Sequence, residues 1–153
     1  MKKLFIAVAA LAVVLAGCGS MGGGASASGM SVLQSGSHSA QKDEALKDFH
    51  NQADLDAFMA TAFDKGGAPS VKVDWNTQMV VAFFVGAKQN TGIRAAITKV
   101  DDSGAQVQVS SKVVIPCEKQ SRPEPSSPYI IVAAPASTKT VNFSDPDVEY
   151  QKC

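Results

Sequence analysis

Histidine is scarce: the 153 residues contain two, His38 and His50, alongside a single tryptophan. His-Glu-x-x-His, Gly-x-Ser-x-Gly and Cys-x-x-Cys are all missing. Their absence removes the sequence signatures of zinc peptidases, α/β-hydrolases and thioredoxin-like or zinc-ribbon sites. No run of Lys and Arg exists, and 14 basic residues are matched by 14 acidic ones. Counterion release therefore has no patch to act through, so neither nucleic acid nor a bare anionic lipid surface is an expected partner. No glycine-rich loop follows a strand pattern, so no phosphate cradle is expected. The longest apolar run, residues 4–15, makes roughly 18 Å of helix at ~1.5 Å per residue, against a hydrocarbon core of about 30 Å.

That run follows Lys2 and Lys3 and ends at Leu15-Ala16-Gly17-Cys18. A short positive segment, a brief apolar core and small residues before a cut describe an export signal. An ordinary secretory signal with an incidental cysteine satisfies this pattern. Residues 15–18 also resemble the lipobox of bacterial lipoproteins. The resemblance implies thioether lipidation of Cys18, cleavage before it and acylation of the new amine. Lipid chains contribute ~0.8 kcal/mol per buried CH₂, so more than one chain gives a stable membrane anchor. Gly19, not aspartate, follows the cysteine; in a Gram-negative cell the family's sorting habit then implies the outer membrane. On this reading residues 1–17 are a signal peptide and 18–30 a flexible lipidated tether of small residues. Residues 31–153 form one domain in the cell envelope.

Cys117 and Cys153 remain. In an oxidising compartment a disulfide between them is the natural expectation. It would close a loop of roughly 35 residues and stabilise by about 3–4 kcal/mol. Two free thiols are the alternative, because spacing does not bring the pair together.

Along the chain, residues 31–34 and 45–50 read as strands around a turn at 36–39. Asn51 is a credible N-cap, with Asp54 three residues on. Leu55, Phe58, Met59, Ala62 and Phe63 then repeat at i, i+3, i+4, i+7 and i+8, a helical core stripe. Gly66-Gly67 and Pro69 are the expected stop. Residues 71–73 lead into a turn at Asp74-Trp75-Asn76. Residues 79–85 are apolar on both faces, as in a central strand covered on both sides. Residues 93–100 form the next strand, and Asp101-Asp102-Ser103-Gly104 is a hairpin turn. Residues 105–115 alternate, with Val107, Val109, Val113 and Ile115 on one face. Pro123 and Pro125 make 118–127 a loop, residues 129–134 and 140–143 are strands, and the tail from Ser144 is polar. The expected fold is mainly β (α+β): an antiparallel sandwich or rolled sheet of six or seven strands with one packed helix.

Little in this layout points to catalysis. A triad built from His38 or His50 needs spatial convergence that sequence does not show. Asp101–Asp102 and Asp145–Asp147 read as solvated loops, with calcium as the alternative. No cofactor, metal site or catalytic residue is expected; function is expected to reside in binding loops.

Several segments occur in an order similar to the PrcB family, named for a lipoprotein subunit of a surface protease complex. These are Gly36-x-x-Ser39, Val73-Asp74-Trp75, Met79-Val80-Val81-Ala82 and Phe84-Val85-Gly86. Gly92, Pro116-Cys117, Gln120 and Pro128-Tyr129-Ile130-Ile131-Val132 follow. The similarity covers about Val32 to Phe143. It implies a non-catalytic accessory subunit for an exported protease or another envelope protein. Where the family usually carries Thr-Gly-Gly-Tyr, this chain has Asn90-Thr91-Gly92-Ile93. Lys88, Gln89, Asn90, Thr91 and Gly92 form the candidate partner loop, with Arg122 and Glu124 exposed beside it. The altered loop motivates a second hypothesis, a structural or stress-related envelope lipoprotein without a protease partner. A hydrolase using one of the histidines is the third.

Overall fold

The computed structural model describes residues 29–153. Cys18, the export signal and most of the tether lie outside the described residues. The chain is mainly β: two four-strand sheets, mostly antiparallel, with one short helix. Four strands make the first sheet in the order β1, β6, β3, β2: β1 (Ser31–Gly36), β6 (Tyr129–Pro135), β3 (Gln78–Phe84) and β2 (Ala45–Phe49). The second sheet pairs β4 (Arg94–Asp101) with β5 (Val107–Ile115). Two short strands, β7 (Val141–Phe143) and β8 (Asp147–Tyr150), run along the other edge of β5.

Strand periodicity explains the layering. Successive side chains point to opposite faces, so the apolar stretch in β3 serves two cores. Met79, Val81 and Phe83 face the second sheet, where they meet Ile97, Val107, Val109 and Val113. Val80, Ala82 and Phe84 face the helix α1 (Gln52–Ala62), meeting Leu55 and Met59. Phe84 stacks on Tyr129 with centroids 5.5 Å apart, and Phe63 meets Tyr129 edge-on at 4.9 Å.

The helix starts as expected: the Asn51 side chain accepts a hydrogen bond from the Asp54 amide at 2.9 Å. Its end differs. It stops at Ala62, and Phe63 is already extended, so Gly66-Gly67 does not terminate it. Tertiary contacts take over: Phe63 turns into the aromatic cluster, and the Ala62 carbonyl accepts from the Ala40 amide at 2.8 Å.

The strand count is eight rather than six or seven, because the tail contains β8. All four of its residues are exposed, so Asp-Val-Glu-Tyr carries no burial pattern by which sequence reveals a strand. Both β7 and β8 pair with β5 in parallel, a departure from the antiparallel rule. They behave as one bent edge strand. Ser144 at the bend bonds the Val109 carbonyl at 3.1 Å, through its amide and again through its hydroxyl.

Register defines two poles. Gln78 pairs with Pro135, and Ser31 with Ala133, at the end where the chain arrives from residue 29. Gly36 pairs with Tyr129, and Phe84 with both Tyr129 and Ala45, at the opposite end.

Candidate functional site

The pole remote from residue 29 gathers the candidate partner loop and the loop that carries Arg122 and Glu124. The link from β3 to β4 crosses it as residues 85–93, and the return from β5 to β6 crosses it as 116–128. The two are laced together. Lys88 and Ser126 exchange backbone hydrogen bonds of 2.7 and 2.9 Å, and the Thr91 amide donates to the Arg122 carbonyl at 3.0 Å. The Ser126 hydroxyl donates to the Asn90 carbonyl at 2.6 Å, while the Arg122 amide donates to the Thr91 hydroxyl at 3.2 Å.

A third segment joins this pair. The Ser127 hydroxyl donates to the Gln41 carbonyl at 2.7 Å and lies 2.7 Å from the Ser39 hydroxyl. The Ala87 amide donates to the Lys42 carbonyl at 2.9 Å. Ser126 and Ser127 are buried and were not singled out from sequence. Their only sequence signal is Ser-Ser-Pro following a proline-broken loop, a pattern that reads equally well as solvated coil.

Two glycines are required here. Gly86 has φ +79°, and a Cβ on it would sit 2.8 Å from the Lys42 carbonyl oxygen. Gly92 has φ +83°, and a Cβ would sit 2.9 Å from Pro116 and 3.1 Å from the Gln120 carbonyl. Positive φ is costly for residues with a Cβ. The single glycine in Asn90-Thr91-Gly92-Ile93 thus occupies the position with no steric substitute. The candidate residues divide accordingly. Gln89, Asn90 and Gly92 are exposed, whereas Lys88 and Thr91 are half-buried and tied to the neighbouring loop. Arg122 and Glu124 are exposed on that loop.

Cys117 and Cys153 form a disulfide at this pole, with Cα atoms 5.3 Å apart. It ties the C-terminal tail to the start of the 116–128 loop. Closing a loop with a sequence separation of 36 corresponds to about 4 kcal/mol on the chain-entropy estimate.

The histidines do not converge. His38 Nδ1 lies 2.7 Å from the hydroxyl of its neighbour Ser37, at the loop pole. His50 Nε2 lies 2.9 Å from Asp48 Oδ2, at the opposite pole. One histidine has a hydroxyl, the other has a carboxylate, and the length of β2 separates them. The adjacent Asp101 and Asp102 also diverge: Asp101 bonds Lys99 and Asp102 bonds Lys139. Among the described residues no group of three His, Cys, Asp or Glu side chains is placed to hold a metal ion.

A cleft of about 540 Å³ lies at the pole near residue 29, between Trp75, Asn76, His50 and Lys139. Its polar groups are largely engaged: Trp75 Nε1 donates to Gln52 Oε1 at 3.1 Å, and Lys139 Nζ donates to the Asp102 carbonyl at 2.7 Å. No helix among the described residues is long and apolar enough to cross a membrane. Comparison with protein-family models, curated proteins and solved structures finds no match for this chain.

Proposed function

We propose that this chain is a lipid-anchored, non-catalytic binding module of the cell envelope, whose loop pole docks an exported protease or another exported protein. One observation carries the reading: the loops 85–93 and 116–128 are cross-braced at the pole opposite the one where the chain arrives from residue 29. Chain entry at that end leaves the loop pole unobstructed by the segment that leads to residue 29. Braced loops lose little conformational freedom on docking, and this lowers the entropic cost of association. The ordered similarity to the PrcB family and the lipobox-like residues 15–18 support the same reading from the sequence side. The separated histidines offer a hydrolase no equivalent support.

The test has two arms. Labelled palmitate is expected to mark the wild-type chain and not Cys18→Ser. Membrane pull-down with the full chain is expected to enrich a defined exported protein. That enrichment should fall about tenfold or more in Gln89→Ala/Asn90→Ala/Arg122→Ala, as for loss of central contact residues, and persist in Asn76→Ala/Thr138→Ala at the other pole. Equal recovery by both variants, or no enriched protein, overturns the proposal.

A further inference from the structure

The edge of β5 from Lys112 to Ile115 is occupied by a strand that has few means of staying there. All four residues of β8 are exposed; Val148 retains 54% of its surface and Tyr150 retains 73%. What holds β8 is a ladder of four residues, the Gln151 amide on the Ile115 carbonyl at 2.9 Å, the Lys112–Glu149 pair and the Cys117–Cys153 bond. An exposed ion pair adds little, and a short ladder without buried side chains opens easily. The disulfide is therefore the latch. It is also within reach: Cys153 is exposed, and a crevice of about 340 Å³ runs beside it between Pro116, Lys119 and Tyr150.

We propose that this edge is a strand-acceptor site, that reduction of Cys117–Cys153 vacates it, and that the partner it fits is β8 of a second copy of this chain. A dithiol reductant supplies the electrons. Its thiolate attacks Cys153 Sγ, the S–S bond breaks and Cys117 leaves as thiolate. The second thiol then resolves the mixed disulfide, leaving two protein thiols and an oxidised reductant. Freed from its latch, β8 swings about Ser144-Asp145-Pro146. The vacated row of backbone groups is a template for another strand. A second copy's β8 brings the same register, a glutamate for Lys112 and a cysteine for Cys117. Reoxidation then locks the exchange in trans.

The full chain carrying Cys18→Ser provides the test. After reduction, hydrogen exchange across 147–151 is expected to accelerate roughly tenfold or more while β3 and β6 remain protected. Next, Cys117→Ser and Cys153→Ser forms are mixed in equal amounts and oxidised. A templated exchange gives almost entirely the mixed Cys117–Cys153 dimer, whereas chance collision gives about half. Glu149→Pro in the strand donor removes an amide that alternates with the Gln151 amide along the ladder, and should return the product to the chance ratio. Unchanged exchange after reduction, or a chance ratio without the proline, overturns the proposal. Docking of an exported protein at the loops is read separately and does not depend on this result.

Discussion

Gly92 and Ser111 mark two residues whose roles become clear only from their neighbours. Gly92 holds φ +83° against Pro116 and the Gln120 carbonyl. Gly92→Ala adds a Cβ to both constraints and is expected to cost about 1–3 kcal/mol, read as a shift in urea midpoint. Ser111 lies on the core face of β5, is 1% exposed, and its hydroxyl has no hydrogen-bond partner. A buried hydroxyl without a partner carries an uncompensated desolvation penalty. Ser111→Ala is therefore expected to raise stability by about 1 kcal/mol, whereas a satisfied serine would give a loss. From sequence, the alternation along 105–115 already puts Ser111 on the face of Val107, Val109 and Val113 and Ser110 on the other; the lack of a partner for the Ser111 hydroxyl is visible only in the fold.

Elements with strong local signals were legible, and elements made by tertiary pairing were not. Asn51 and its amide partner Asp54 are visible in sequence because capping chemistry is local. Asn51→Ala removes that acceptor and is expected to destabilise by about 1 kcal/mol in thermal or urea unfolding. The Asp101–Gly104 turn is local too, and its charges give a pH signature. The Lys99 ammonium and then the Ser103 hydroxyl and amide hold the Asp101 carboxyl well below its usual range. Lys139 and then Ser137 lower Asp102. A carboxyl depressed in the folded state stabilises fully above its unfolded value near 3.9, and that contribution fades as pH falls toward the folded value. The stability gap between wild type and Asp101→Asn should thus shrink between roughly pH 5 and pH 2, as followed by denaturant titration at each pH. A gap that stays constant would mean that the carboxyl charge plays no part. In contrast, β8 and the end of α1 have no local signature. One exists because β5 has an open edge, the other because Phe63 is recruited by Tyr129 and Phe84.

At the scale of the whole molecule, the two-faced apolar pattern of β3 was enough to expect a covered central strand. It could not reveal that a helix covers one face and a second sheet the other. The candidate loop was legible as a polar tip after that strand. Its bracing by Ser126 was not, because partners 36 residues apart leave no periodic trace. The same separation of local from global governs the disulfide. Neither apolar core contains a residue of β8, so removing the latch should free the tail without loosening the sandwich. Cys117→Ser/Cys153→Ser is expected to lose at most about 4 kcal/mol. For a domain of this size that corresponds to a fall in Tm of roughly 10–15 °C. Trp75 packs on the helix-side core, so its near-ultraviolet signal should match wild type well below the transition. Loss of that signal at room temperature would mean that β8 supports the cores after all. Retention with a lowered Tm would mean that the bond acts on the unfolded chain and on the strand it fastens, leaving the loop pole built on the two sheets alone.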